Sequence, residues 1–164
     1  WGRGPGSASA ISSAICLADG SMWIRFVLYG LGGWCGEVVW TALTEQLLQR
    51  EWRLMGYTYL WMFPLYGLLA PLYEPVHNAI RDYPWPLRAV IWSFGFTAVE
   101  LASGWLIARL TGRCPWDYSE RRWAINSYIR WDYFPVWALI GLALEPVHDF
   151  LVEITPAIGA ALGL

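Results

Sequence analysis

Residues 63–77 read FPLYGLLAPLYEPVH, and residues 134–148 read FPVWALIGLALEPVH. The two stretches align without a gap. They share Phe-Pro at the start and Glu-Pro-Val-His at the end, with Tyr66 facing Trp137 and Gly67 facing Ala138. The stretches upstream align as well. Residues 25–37 read RFVLYGLGGWCGE and residues 88–100 read RAVIWSFGFTAVE, so that Arg, Val, Gly and Glu coincide and Tyr29 faces Trp92. Apolar segments resemble one another through composition alone, but a shared Glu-Pro-Val-His at matched positions makes chance a poor explanation. Self-similarity on this scale marks a repeated supersecondary unit. The chain is expected to contain two copies of one helical hairpin, 25–82 and 88–153, the second with the longer internal loop.

The surroundings of these stretches place them in a membrane. The chain is 57% hydrophobic and only 15% charged, with a mean hydropathy of +0.36, which is too little charge for an ordinary soluble domain. Thirteen Trp and nine Tyr are an aromatic load of the kind that anchors helices at membrane interfaces. Runs of about 18 or more apolar residues read as membrane helices. Residues 26–43, 54–80, 89–108 and 133–148 each carry a single acidic or basic residue: Glu37, Glu74, Glu100 and Glu145 respectively. Four spans follow, at 23–48, 58–81, 87–110 and 133–153. The expectation is an all-α, multi-pass integral membrane protein: a four-transmembrane-helix bundle built from two parallel-repeat helical hairpins. Such copies would be related by a pseudo-twofold axis along the membrane normal.

The rest of the chain is organised around those spans. Residues 1–21, rich in Gly, Ser and Ala, read as a flexible or targeting-derived segment. The transmembrane domain occupies 22–153, and 154–164 is a short apolar tail. Links at 49–56 and 82–86 are short, as antiparallel neighbours require. The link at 111–132 is longer and is expected to lie at the interface. All basic residues are Arg. Arg50, Arg53, Arg109, Arg113, Arg121, Arg122 and Arg130 fall on one side of this topology; Arg3, Arg25, Arg81 and Arg88 fall on the other. The positive-inside rule puts the first set on the cytoplasmic face. A net charge of −2 without a basic stripe argues against nucleic acid as a partner. Three cysteines, Cys16, Cys35 and Cys114, have neither metal-ligand nor disulfide-framework spacing. Gly32 and Gly36 form a GxxxG, the pattern of close helix packing.

A carboxylate at membrane depth is expensive and usually finds a partner inside the bundle. Two spans carry an isolated glutamate, Glu37 and Glu100. The other two carry Glu-x-x-His, Glu74 with His77 and Glu145 with His148, and these are the only two histidines of the chain. Residues three apart share a helical face. One Glu from each of two helices and Glu-x-x-His from each of two others is the ligand set of di-iron carboxylate bundles. Glu37, Glu74, His77, Glu100, Glu145 and His148 are therefore candidate metal ligands for a di-iron centre, or for manganese or zinc. Tyr29, Tyr66 and Tyr73 are placed to tune or shield it. The proline inside each motif, Pro75 and Pro146, is expected to kink its helix or free a carbonyl. In the plainer alternative the glutamates are protonated or bonded to Trp, Tyr and Arg and merely hold the bundle together. A third reading makes His77 and His148 axial ligands of a haem, against which the nearby carboxylates weigh.

The same residues carry a family resemblance. The Leu28-Tyr29 pair and Glu37, the Leu65-Tyr66-Gly67 run and Glu74, then Glu100, the segment CPWDYS at 114–119 and finally Glu145 resemble the transmembrane protein 229 family. They are also similar to bacterial proteins labelled type IV ABC-transporter permeases. The resemblance covers 24–150 and implies a multi-span membrane protein. Family members carry the glutamates but not both histidines, so this chain departs from the pattern by completing two Glu-x-x-His sets.

Three functions are open at this point. One is a membrane-embedded di-metal protein, with oxidoreductase chemistry on a lipid-soluble substrate if the metal is iron. Another is a non-catalytic accessory subunit of a larger membrane complex. The last is a small carrier or permease. In each the lipid bilayer is a partner, and in the second so are other membrane-complex subunits.

Overall fold

A computed structural model of the chain describes residues 6–46, 50 and 52–164, with side chains at 20–44, 50 and 52–164. Residues 1–5, 47–49 and 51, and with them Arg3 and part of the first expected link, lie outside the described residues, as does the side chain of Cys16. The described residues form five α-helices: α1 (Gly6–Thr41), α2 (Met62–Gly67), α3 (Glu74–Ile80), α4 (Trp85–Thr111) and α5 (Phe134–Leu162). A π-helical turn, Ala42–Gln46, follows α1, and another, Leu69–Tyr73, joins α2 to α3. No strand is formed among the described residues; a single antiparallel bridge pairs Ala124 with Arg130. Part of the segment expected to be flexible, from Gly6 onward, belongs to α1. The expected apolar tail forms the last turns of α5, which ends where Gly163 takes φ 72°.

Among the described residues, three helical stretches are long and apolar enough to cross a membrane: Gly20–Thr44, Trp85–Thr111 and Trp131–Leu162. The remaining span expected from the sequence, 58–81, is interrupted instead of forming one long helix. Prolines explain the break. Pro71 has no N–H to donate to Gly67, and Pro75 has none for Pro71. The helix widens at this point, and the Glu74 N–H reaches five residues back to the Leu69 carbonyl. In α5, Pro135 sits in the first turn, where a missing N–H costs nothing, and the helix continues unbroken through Pro146.

The chain divides into two compact units, Trp1–Pro75 with Asp149–Leu164, and Val76–His148. In the first unit α1 packs against α2 and the π-helical turn after it. The approach is close because glycine faces aromatic rings. A Cβ at Gly33 would fall 2.1 Å from Cγ of Tyr66. By contrast, Gly32 and Gly36 face open space, so the GxxxG pair is not the packing surface; Gly30 and Gly33, on another face of α1, are. In the second unit α5 meets α4 at Gly141, where a Cβ would lie 2.3 Å from Cβ of Trp92. Ser93 Oγ donates to the Phe134 carbonyl at 2.8 Å, tying the start of α5 to α4. The link between these helices folds back on α4, with Trp116 and Tyr128 against Gly104. It is held by Trp116 Nε1 donating to the Tyr128 carbonyl at 3.0 Å.

The spans turn most of their apolar side chains outward. Val27, Leu31, Val39, Val90, Leu106, Leu139 and Val152 are all exposed. Such a surface is a liability in water and the expected one in lipid. Exposed aromatics cluster near helix ends and in the links, at Trp23, Trp52, Trp61, Tyr83, Trp85, Trp123 and Trp131. Amphipathic rings prefer that level, where one edge is wet and the other apolar.

Candidate functional site

Each of the four span glutamates has hydrogen-bond donors from its own unit. In the first unit, Arg25 from α1 holds Glu74 in a two-pronged ion pair, Nε to Oε1 at 2.7 Å and a terminal nitrogen to Oε2 at 2.9 Å. The buried Tyr29 hydroxyl bonds the same carboxylate from one turn further along α1. This spacing follows from sequence, since residues 25 and 29 share one helical face. Glu37 accepts from Thr58 Oγ1 at 2.8 Å and from Tyr66.

In the second unit, Arg88 pairs with Glu145 at 3.2 Å. Trp92 Nε1 donates to the other oxygen of that carboxylate at 3.0 Å. Glu100 accepts from Tyr118 Oη at 3.0 Å and from Trp137 Nε1 at 3.1 Å. Tyr118 belongs to the extramembrane link, so this bond fastens the link to α4. Burial, and then the Glu100 carboxylate, push the Tyr118 hydroxyl well above the ordinary tyrosine range. Arg130 completes the corner. Its guanidinium lies over the rings of Tyr118 and Tyr133, at 5.6 and 4.6 Å, and binds Asp132 through both carboxylate oxygens.

The two histidines come together in the second unit. The rings of His77 on α3 and His148 on α5 are 4.7 Å apart between centroids, inclined at 66°. Both are buried, 2% and 3% exposed. Imidazole is a ligand for d-block cations, so this pair is where a metal ion could be held. Asp149 follows His148 directly in the chain.

Of the six residues expected to ligate a metal, the structure brings His77 and His148 together, edge against face. It gives Glu37, Glu74, Glu100 and Glu145 to Thr, Tyr, Trp and Arg donors. The plainer alternative named Trp, Tyr and Arg as partners, and not Thr. Arg25 and Arg88 were legible as matched positions in the two repeats. Thr58 and Tyr118 were not: Tyr118 lies in a link whose path helical periodicity does not fix, and Thr58, expected to open a span, lies in irregular backbone before α2. Cys114 offers no reactive thiolate: burial pushes its thiol up, away from the range in which cysteine is a nucleophile at neutral pH.

Long apolar helices, outward-facing apolar side chains and carboxylates hydrogen-bonded from within define a helical membrane protein. The chain belongs to the family described as "Putative ABC-transporter type IV", which matches residues 24–161. No solved structure matches it.

Proposed function

We propose that this chain is a four-span, non-catalytic membrane subunit of a transport assembly, built from two copies of one helical hairpin, 25–82 and 88–153. The observation that carries this is that all four span acids are satisfied internally, two by Arg and two by neutral donors. Arg25 on Glu74 has its counterpart in Arg88 on Glu145. Tyr29 beside Glu74 has its counterpart in Trp92. Tyr66 on Glu37 has its counterpart in Trp137 on Glu100. These are the positions that face one another in the sequence alignment of the copies. Carboxylates spent on such clamps hold hairpins together and leave little for catalysis. The interrupted helical path 62–80 would be the fourth crossing, at about 1.5 Å per helical residue.

Family membership supplies the transport context, and the likeness of 24–150 to transmembrane protein 229 proteins fits the same picture. Energy would come from a partner. The glycines at 30–36 lie inside α1, whereas a phosphate-binding loop follows a strand. The test is purification of the tagged chain from its own membranes in mild detergent. An ATP-hydrolysing subunit at fixed stoichiometry is expected. A chain that purifies alone, monodisperse and folded, would overturn the proposal.

A second reading rests on the sequence pattern, a di-metal centre on Glu37, Glu74, His77, Glu100, Glu145 and His148. That reading requires each glutamate to exchange its present donors for a cation. Two bound metal ions per chain, lost together with Glu74→Gln and Glu145→Gln, would establish it.

A further inference from the structure

We propose that His77 and His148 bind one divalent d-block cation, such as zinc, through imidazole nitrogens and without the four glutamates. This is independent of the transport reading. The chain has only two histidines, far apart in sequence, and folding buries both against one another at 4.7 Å between ring centroids. That distance is informative. Two imidazoles sharing a tetrahedral zinc, with Zn–N of about 2.0–2.1 Å, place their centroids roughly 5 Å apart. The nitrogens the two rings offer lie within 4.8 Å of one another, and the rings, inclined at 66°, would turn to aim both at one cation. A burial of 97% or more also removes the competing water that weakens exposed histidine pairs.

The glutamates are excluded by their partners. Glu74 and Glu145 lie one turn before the histidines in sequence, yet their oxygens are held by Arg25 and by Arg88 and Trp92. A guanidinium beside a carboxylate opposes a second cation there. The site is therefore mononuclear, and its chemistry is that of a neutral-imidazole pair. The cation would cross-link α3 to α5, and so act on stability.

The test uses the full chain, purified in detergent and stripped with chelator. Cobalt(II) serves as the spectroscopic probe and zinc as the competitor. One equivalent of cobalt is expected, with visible absorption bands that zinc abolishes. His77→Gln and His148→Gln should each weaken binding by about tenfold or more, while Glu74→Gln and Glu145→Gln leave it within about twofold. Zinc should raise the melting temperature of the parent protein and not that of the doubly substituted His77→Gln/His148→Gln protein. Melting curves identify any variant that has lost its fold. A folded parent protein that binds no cobalt would overturn the proposal. Unchanged binding in the double variant would do the same. So would loss of binding on replacing Cys16, Cys35 and Cys114 with Ser, since that would put the cation on thiols.

Discussion

Arg25 grips Glu74 with two nearly parallel hydrogen bonds, 2.7 and 2.9 Å long, between side chains that are 15% and 10% exposed. A pair so enclosed is strongly interdependent. Removing one member strands the other charge, at a typical cost of about 3–5 kcal/mol. Arg25→Gln and Glu74→Gln should each lower the melting temperature sharply. The double variant should lose much less than the sum, because neither charge is then left alone. Strict additivity in thermal melts would mean that the two side chains do not depend on each other.

Trp92 and Arg88 share the Glu145 carboxylate, one oxygen each. Trp92→Phe keeps the ring and removes the N–H, so it isolates one hydrogen bond to a charged acceptor, about 1.5–3 kcal/mol. The variant should melt below the parent protein but above Arg88→Gln, which strands a charge. The reverse order would mean that the Arg88 charge contributes less to holding Glu145 than the Trp92 hydrogen bond does.

Tyr118 fastens the 112–130 link to Glu100. Tyr118→Phe should accelerate hydrogen exchange and proteolysis in that link while leaving α1 untouched. The raised Tyr118 hydroxyl also sets a pH dependence. Below the unfolded tyrosine pKa of about 10 both states keep the proton, and the contribution is flat. Above it the unfolded chain ionises first, binds fewer protons than the native one, and native stability falls with rising pH. Protection of the link should decline above that pH in the parent protein, and Tyr118→Phe should lose this component. A decline of equal size in both would remove Tyr118 from the explanation.

Gly33 and Gly32 are neighbours with opposite surroundings. A methyl group at Gly33 would run into the Tyr66 ring, whereas at Gly32 it meets nothing. Gly33→Ala should destabilise by about 1–3 kcal/mol through overpacking. Gly32→Ala should be neutral, or stabilising by up to about 1 kcal/mol from helix propensity. Melting temperatures of the two variants decide the matter, and equal shifts would show that the α1–α2 contact is drawn wrongly.

The sequence made α4 and α5 legible as long apolar runs, and the prolines of α5, Pro135, Pro146 and Pro156, are too widely spaced to interrupt one stretch of helix twice. It was less informative at 62–80. There the apolar run is as long, but Pro71 and Pro75 remove successive backbone donors, and hydropathy does not register that loss. The glutamates were legible because single charges in apolar spans stand out. Arg25 and Arg88 were legible as positions that align with each other, and their pairing with Glu74 and Glu145 came from the structure. The contact of Tyr118 with Glu100 depends on how an irregular link folds back, which no periodicity encodes. The GxxxG at Gly32 and Gly36 misled, because the pattern names a spacing and not the face that meets a neighbour.

The central claim is that the span glutamates are clamps within their own hairpins. Thermal unfolding and metal content of Glu37→Gln, Glu74→Gln, Glu100→Gln and Glu145→Gln, measured on the same preparations, test it most directly. All four proteins should melt below the parent, with bound metal per folded chain unchanged. Variants that melt like the parent while losing their metal would contradict it.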